Sequence, residues 1–476
     1  MIQRAQWSSR LAFVLAAAGS AIGLGNIWKF PYITGENGGG WFVLIYLACI
    51  LLIGIPIMMA EVFLGRETQK SPVGAYAAAS GKPRTPWMLA GWLGVLTAFV
   101  VLSYYSVIAG WSLHYIYISI TDGFTGQTPD EIAATFGGVA TSVPISVFWH
   151  VIFMAITIGI VAMGVKGGIE AAAKILMPLL FLILVILLIY ATTQSGFSEA
   201  FDFIFMPDSS KLKAAGVLEA LGHSFFTLSL GMGAMITYGS YMNRKDDLVK
   251  ASVLVSVLDT AVALMACLIL FPLLFSVNLD AAAGPGLVFQ GMPIAFSSMT
   301  GGAILAPLFF LLLAFAALTS AISLLEVAST YFIDEKNWSR PVAALLIGGA
   351  ITLIGIPSAL SNSTDLFGAK VQNATHGVLE TFGKEGMNWL DLLDYIASNW
   401  LLPIGALLVA LFVSWRVGGA ARERGIKEGS TWGGIYVVWL LLLRFIVPLA
   451  IIAVFLHASG ILQEIVPQLY PAQATP

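Results

Sequence analysis

Charge is what this chain has least of. Only 10% of its 476 residues are Asp, Glu, Lys or Arg, against about 25% in a soluble domain. With 58% of the residues hydrophobic, too little polar surface is left to cover a water-soluble globule. No basic segment compensates. The formal charge of −3 excludes a nucleic-acid binder, and the hydrophobic content excludes a disordered chain. Cysteine is nearly missing too: Cys49 and Cys267 both sit inside apolar runs, so there is no disulfide framework. The histidines (His114, His150, His223, His376 and His457) form no metal-ligand spacing. No nucleophile–base pair stands out either, so an intramembrane enzyme lacks its machinery. A channel's continuous polar stripe or charged ring is also missing.

What is present is apolar sequence in bilayer-sized lengths, roughly 20 residues per helix. Eleven stretches qualify: 11–34, 41–64, 87–120, 143–164, 170–193, 217–241, 247–276, 302–333, 341–357, 390–415 and 433–458. No cleavage site follows Leu11–Leu15, so the first reads as a span and not as a signal peptide. Lys and Arg concentrate in alternate loops. Arg4 and Arg10 precede span one, Arg66, Lys70, Lys82 and Arg84 follow span two, and the loops 121–142 and 277–301 carry none. This bias predicts a cytoplasmic N-terminus and, with an odd span count, an outside C-terminus. The stretches 194–216, 277–301 and 358–389 read as long outer loops, with Pro293–Met299 a candidate short helix.

Forty-eight glycines, about a tenth of the chain, point to close helix packing or broken helices. Span one contains Gly23-Leu24-Gly25 and span six Gly231-Met232-Gly233, each a G-x-G in mid-span. A glycine costs about 1 kcal/mol relative to alanine inside a helix. Two such interruptions five spans apart suggest that spans 1–5 and 6–10 are repeats of opposite orientation. Unwound backbone in hydrocarbon is tolerated only where it lines a cavity or binds something. Freed carbonyls suit a hard cation, and half-helix N-termini attract a carboxylate. Asn26, Thr227, Ser229, Thr319 and Ser320 add neutral oxygens at similar depth. Such a set fits a monovalent cation such as Na⁺ and is poor for zinc or copper.

These residues resemble the neurotransmitter:sodium symporter family, in its bacterial amino-acid branch with eleven spans. The markers are Trp7, Gly23-Leu24-Gly25-Asn26-Ile27-Trp28-Lys29-Phe30-Pro31, Glu36-Asn37-Gly38-Gly39-Gly40, Phe225-Phe226-Thr227-Leu228-Ser229-Leu230-Gly231 and Ala317-Leu318-Thr319-Ser320. The likeness covers spans one to ten and is weaker at span eleven. It implies an all-α integral membrane protein of one transporter domain, 1–476. Five-helix repeats would occupy 11–193 and 217–415, helices one and six would be unwound at mid-membrane, and 433–458 would be an extra helix. It implies sodium-coupled symport of a neutral, hydrophobic or aromatic α-amino acid by alternating access. A non-α amino acid, a betaine-like osmolyte or a non-transporting nutrient sensor are the alternatives. The expected partners are sodium, the amino acid and lipid. No organic cofactor or nucleic acid is expected, and the chain would be a monomer or weak homodimer.

The resemblance further implies two sodium sites. One would use Ala21, Asn26, Thr227, Asp259 and the substrate carboxylate. The other would use main-chain oxygens of Gly19, Ile22 and Ala316 with the hydroxyls of Thr319 and Ser320. The rival for these two hydroxyls is a bond to the preceding helical turn. The substrate would lie against Ala21, Gly23, Leu24, Gly25, Val101, Tyr105, Phe226, Thr227, Ser229, Met232, Ser320 and Leu324, with the Tyr105 hydroxyl on its carboxylate. Tyr104 next to it serves as the packing counter-example. Relatives that carry monoamines have aspartate at the position of Gly23, so glycine there points to a substrate bringing its own carboxylate. Lys29 with Asp394 would form an outer gate, where the family usually has arginine. Arg4 with Asp334, beside Trp7, Ser240 and Tyr241, would form an inner gate. Glu61 would brace the break in span six. His223, Asp259 and Ala263 depart from the chloride-dependent pattern, so chloride independence is expected. A proton could return on His223 or Asp259, the rival being a static His–Asp hydrogen bond. Gly168 and Pro178 match a motif at the start of span five whose unwinding would let water reach the second sodium site. Arg444 and Glu326 have no role legible in the sequence.

Overall fold

A computed structural model describes residues 4–121, 123–206, 214–280, 286–379, 386–459 and 461. Apolar sequence of this kind must satisfy every peptide group internally, which leaves helix as the available form. Among the described residues there is no strand. Nine helices among them are long and apolar enough to cross a bilayer alone, from Gly40–Thr68 to Gly433–Leu456. A tenth crossing is the pair Arg10–Ala21 and Gly25–Glu36, bent by 50° at its break. The eleventh is Ala214–Thr227 followed by Ala234–Gly239, each piece too short to cross by itself.

Hydropathy locates the spans closely, as at Met88–Ile120 and Leu248–Phe275. Span five starts earlier than expected, at Val165. The expected long loops are partly helical, with Phe197–Phe205, Leu287–Ser298 and Ala369–Leu379 inside them. The expected short helix at Pro293–Met299 matches the second half of Leu287–Ser298, whereas the other two are too short to stand out among the crossings. Within those loops, 207–213, 281–285 and 380–385 lie outside the described residues.

Five wide, π-type turns share one sequence cause. Gly25–Lys29, Ile50–Gly54, Leu287–Gly291, Ala397–Leu401 and Leu442–Ile446 are each followed, two residues on, by a proline: Pro31, Pro56, Pro293, Pro403 and Pro448. A proline ring collides with the carbonyl four residues back and has no N–H to give it. Each wide turn contains that carbonyl. The residue before each proline instead bonds five residues back, as Phe30 N–H does to the Gly25 carbonyl and Ile55 N–H to that of Ile50. The helix therefore continues through the proline without an abrupt kink.

Spans three and eight, Met88–Ile120 and Gly302–Lys336, run beside one another, with the Trp92 and Tyr331 rings 4.3 Å apart. Val101 and Tyr105 stand one helical turn apart on span three, and Ser320 and Leu324 do the same on span eight. Each pair therefore shares a face. These two faces meet the breaks of spans one and six.

Candidate functional site

The break in span one begins where Ile22 leaves helical geometry, with ψ 103°. Gly23 N–H donates to the side-chain oxygen of Asn26 at 2.9 Å, so that side chain replaces a helical partner. The Asn26 amide nitrogen then donates to Thr227 Oγ1 at 3.0 Å, to the Asp259 carbonyl at 3.1 Å and to Asp259 Oδ1 at 2.7 Å. Thr227 Oγ1 lies 3.1 Å from both carboxylate oxygens of Asp259, and Tyr46 Oη reaches Oδ2 at 3.4 Å. Asn26, Thr227 and Asp259 are buried. Sequence reading missed Tyr46, because its relation to Asp259 depends on how span two packs.

A second oxygen cluster lies on the N-terminal side of the same break. Ser320 Oγ is within hydrogen-bonding distance of three carbonyls, those of Gly19 (3.4 Å), Ser20 (3.1 Å) and Ile22 (3.4 Å). The Ser20 carbonyl also accepts from Ser229 Oγ at 2.8 Å, which ties the two breaks together. Thr319 Oγ1 donates within its own helix, to Phe315 and Ala316 carbonyls at 3.1 and 3.0 Å. Gly19 lies against Thr319: a Cβ on Gly19 would be 3.1 Å from Thr319 Cβ. Gly19, Ile22, Ala316, Thr319 and Ser320 are thus brought together. Ser20 joins them without having been singled out, although every carbonyl near the break was equally free.

Between the breaks lies a cavity of about 20 Å³, one water's worth of space. Its walls are Ser20, Ala21, Gly23, Gly25, Val101, Tyr105, Phe226, Thr227, Ser229, Met232, Ser320 and Leu324. That is the expected substrate set, with Ser20 in place of Leu24. Leu24 N–H instead donates to Tyr105 Oη at 3.1 Å, so the hydroxyl expected on the substrate carboxylate is here paired with span one. A much larger cavity, about 580 Å³, lies on the Lys29 side. Gly25, Tyr105 and Phe226 border both, forming the partition between them.

Lys29 stands over this partition. Its Nζ is 2.9 Å from Asp394 Oδ2, 3.3 Å from Ser398 Oγ and 4.9 Å from the Phe226 ring centre. Tyr104 is no packing residue: its hydroxyl donates to Asp394 Oδ1 at 2.9 Å. On the opposite side, Arg4 pairs with Asp334, donates to Ser240 Oγ at 2.7 Å and stacks 4.7 Å from the Tyr241 ring centre. The Trp7 indole N–H donates to the Tyr238 carbonyl at 3.0 Å. Glu326 acquires a place here, pairing with Arg340 at 2.7 Å while accepting from the Tyr241 hydroxyl. Charged side-chain clusters thus flank the small cavity on both sides.

His223 does not bond to Asp259. Its ring stacks on Phe30 at 5.7 Å and on Phe226 at 6.4 Å, and neither ring nitrogen has a hydrogen-bond partner among the described residues. The break in span six has a different anchor. Glu61 Oε1 accepts from Gly231 N–H at 2.7 Å. Gly231 has φ 81°, and a Cβ there would lie 2.1 Å from the Leu402 carbonyl oxygen. Gly168 sits in a wide turn, Val165–Glu170, where a Cβ would meet the Ile160 carbonyl oxygen at 1.9 Å; Pro178 lies inside the helix that follows. Arg444 donates to the Ser414 carbonyl at 2.9 Å and stacks on Trp415 at 4.8 Å. It satisfies a carbonyl in the wide turn Phe412–Arg416.

The chain is similar to known proteins over nearly its whole length. The sodium:neurotransmitter symporter family matches residues 4–135 and 142–474. An uncharacterized sodium-dependent transporter of Bacillus subtilis, YhdH, is 38% identical over 460 residues, covering 96% of this chain and 98% of its own. An uncharacterized sodium-dependent transporter of Methanocaldococcus jannaschii is 33% identical over 490 residues, covering 97% and 92%. The crystal structure of MhsT in complex with L-phenylalanine superposes with a TM-score of 0.85 at 45% identity, covering 96% of this chain and all of that one. The chain belongs to the sodium:neurotransmitter symporter family: it is a sodium-dependent, multi-pass membrane symporter and not an enzyme.

Proposed function

We propose that the protein carries a neutral, hydrophobic α-amino acid into the cell together with sodium, by alternating access. The observation that supports this most directly is Gly23. A Cβ at that position would lie 2.6 Å from Ser320 Oγ and 2.9 Å from Tyr105 Oη. The chain itself supplies no carboxylate at this position, so the one beside the cation is read as the substrate's own. The lining by Val101, Phe226, Met232 and Leu324 favours an apolar side chain, and the L-phenylalanine in MhsT is consistent with that. One sodium is assigned to Ala21, Asn26, Thr227, Asp259 and the substrate carboxylate. The second is assigned to the Gly19, Ile22 and Ala316 carbonyls with Thr319 and Ser320. Carbonyl, hydroxyl, amide and carboxylate oxygens are the donors a hard alkali cation prefers. Each ligand completes the other's site, so binding of either raises affinity for the other.

Lys29–Asp394 is read as the outer gate and Arg4–Asp334 as the inner one, with the N-terminus cytoplasmic. The two repeats, 11–193 and 217–415, rock about the site. Asp259 supplies the negative charge that chloride supplies in other relatives, which makes transport chloride-independent. It also makes Asp259 the residue for proton return, since His223 lies apart in an aromatic cluster.

Purified protein in liposomes, given an inward sodium gradient, tests the reading. Radiolabelled phenylalanine, leucine or tryptophan should accumulate, unchanged when gluconate replaces chloride. Preferential competition by betaine or a γ-amino acid would overturn the substrate class. Saturable binding without accumulation would favour the sensor.

A further inference from the structure

The segment between Trp7 and the first turn of span one makes a contact that neither gate requires. Ser8 N–H donates to Glu170 Oε2 at 3.0 Å, and the Ser8 hydroxyl donates to Glu170 Oε1. Lys174 Nζ completes a triangle, 2.6 Å from Glu170 Oε1 and 3.1 Å from Ser8 Oγ. Ser8 is exposed, whereas Glu170 is buried. Ser8 directly follows Trp7, whose main-chain N–H donates to the Tyr241 carbonyl at 3.0 Å. One end of this contact is therefore continuous with the Arg4–Trp7 segment.

The other end is the stretch of span five bounded by Gly168 and Pro178. It is the least regular part of that helix, opening with the wide turn Val165–Glu170 and carrying a proline inside it. The same stretch touches span one a second time. Met177 is buried, and its sulfur would lie 3.1 Å from a Cβ on Gly19, beside Thr319. Met177 thus covers the flank of the second oxygen cluster.

We propose that Glu170 is a positioning residue: it latches span five to the gate segment, so that release of Arg4 and Trp7 frees the Gly168–Pro178 stretch and withdraws Met177 from the second cation site in one movement. This rests on the sodium assignment given above only for what Met177 uncovers; the latch itself does not depend on it.

Hydrogen–deuterium exchange of the purified full chain, read over residues 165–178, tests the coupling. Ser8→Ala and Glu170→Gln should each speed exchange there about tenfold, the loss of a charge-assisted hydrogen bond, while Glu170→Asp restores most of the protection. Arg4→Ala should speed exchange at 165–178 in the unaltered chain but add nothing in the Glu170→Gln background. Exchange in span three, Met88–Ile120, reports that each variant is folded. Ser8→Ala probes the latch without touching span five, should Glu170→Gln fail to fold. Unchanged exchange in Ser8→Ala, or fully additive effects of Arg4→Ala and Glu170→Gln, would overturn the latch. Faster exchange in Ser8→Ala that adds nothing to Arg4→Ala, with the sodium dependence of uptake unaltered, keeps the latch and removes the second sodium site as what it guards.

Discussion

The interruptions in spans one and six differ in length and in what holds them. In span one, helix stops at Ala21 and a wide turn resumes at Gly25, and the gap is stitched by side chains, chiefly Asn26. In span six the gap runs from Leu228 to Gly233, with positive φ at Ser229, Gly231 and Gly233. There the backbone itself is clamped between Glu61 and span ten. Side-chain stitching can rearrange at modest cost, whereas glycine-to-carbonyl packing cannot. The contrast makes span six the fixed wall of the site and span one the part that adapts.

The sharpest way to break the comparison is Gly231→Ala. Its methyl meets both a left-handed backbone and the Leu402 carbonyl, so stability should fall by about 3 kcal/mol or more, read as a lower midpoint in heating followed by size-exclusion chromatography. Gly23→Ala should act differently. Its methyl meets the ends of Ser320 and Tyr105, which can yield, so the fold survives while amino-acid uptake drops about tenfold or more. A protein that fails to fold on Gly23→Ala contradicts the adaptable role of span one. Thr227→Val tests where the two breaks share oxygens. Losing that hydroxyl between Asn26 and Asp259 should raise the sodium concentration for half-maximal uptake about fivefold. Pro31→Ala should do least, less than about 0.5 kcal/mol, because the wide turn before it has already relieved the ring's clash. A larger loss, measured by the same heating experiment, would mean the proline is what keeps span one broken.

Much of this was legible in the chain itself, for physical reasons. Crossings announce themselves because each is a long apolar run, and the breaks because a G-x-G recurs in mid-span five spans apart, where one alone would read as helix packing. The cavity wall followed from family likeness alone. What escaped depends on which helix lies opposite. Tyr104 looked like packing until span ten brought Asp394 to it, and Glu326 had no role until Arg340 and Tyr241 converged on it. His223 and Asp259 suggested a hydrogen-bonded pair, yet the imidazole turns into Phe30 and Phe226. The wide turns escaped as well, because Pro178, Pro272 and Pro357 sit inside plain α-helix, so a proline alone does not announce one.

Those proline-paired turns bear on how such a chain can drift in length. A wide turn holds one more residue than the ordinary one, so it stores a single-residue insertion without rotating either flank. Removing one residue from Ile50–Gly54 and changing Pro56 to alanine together would restore plain helix with both faces still aligned, while either change alone would not. Spans of this architecture can thus hold an extra residue in mid-bilayer, and at these five turns a proline marks where it is held.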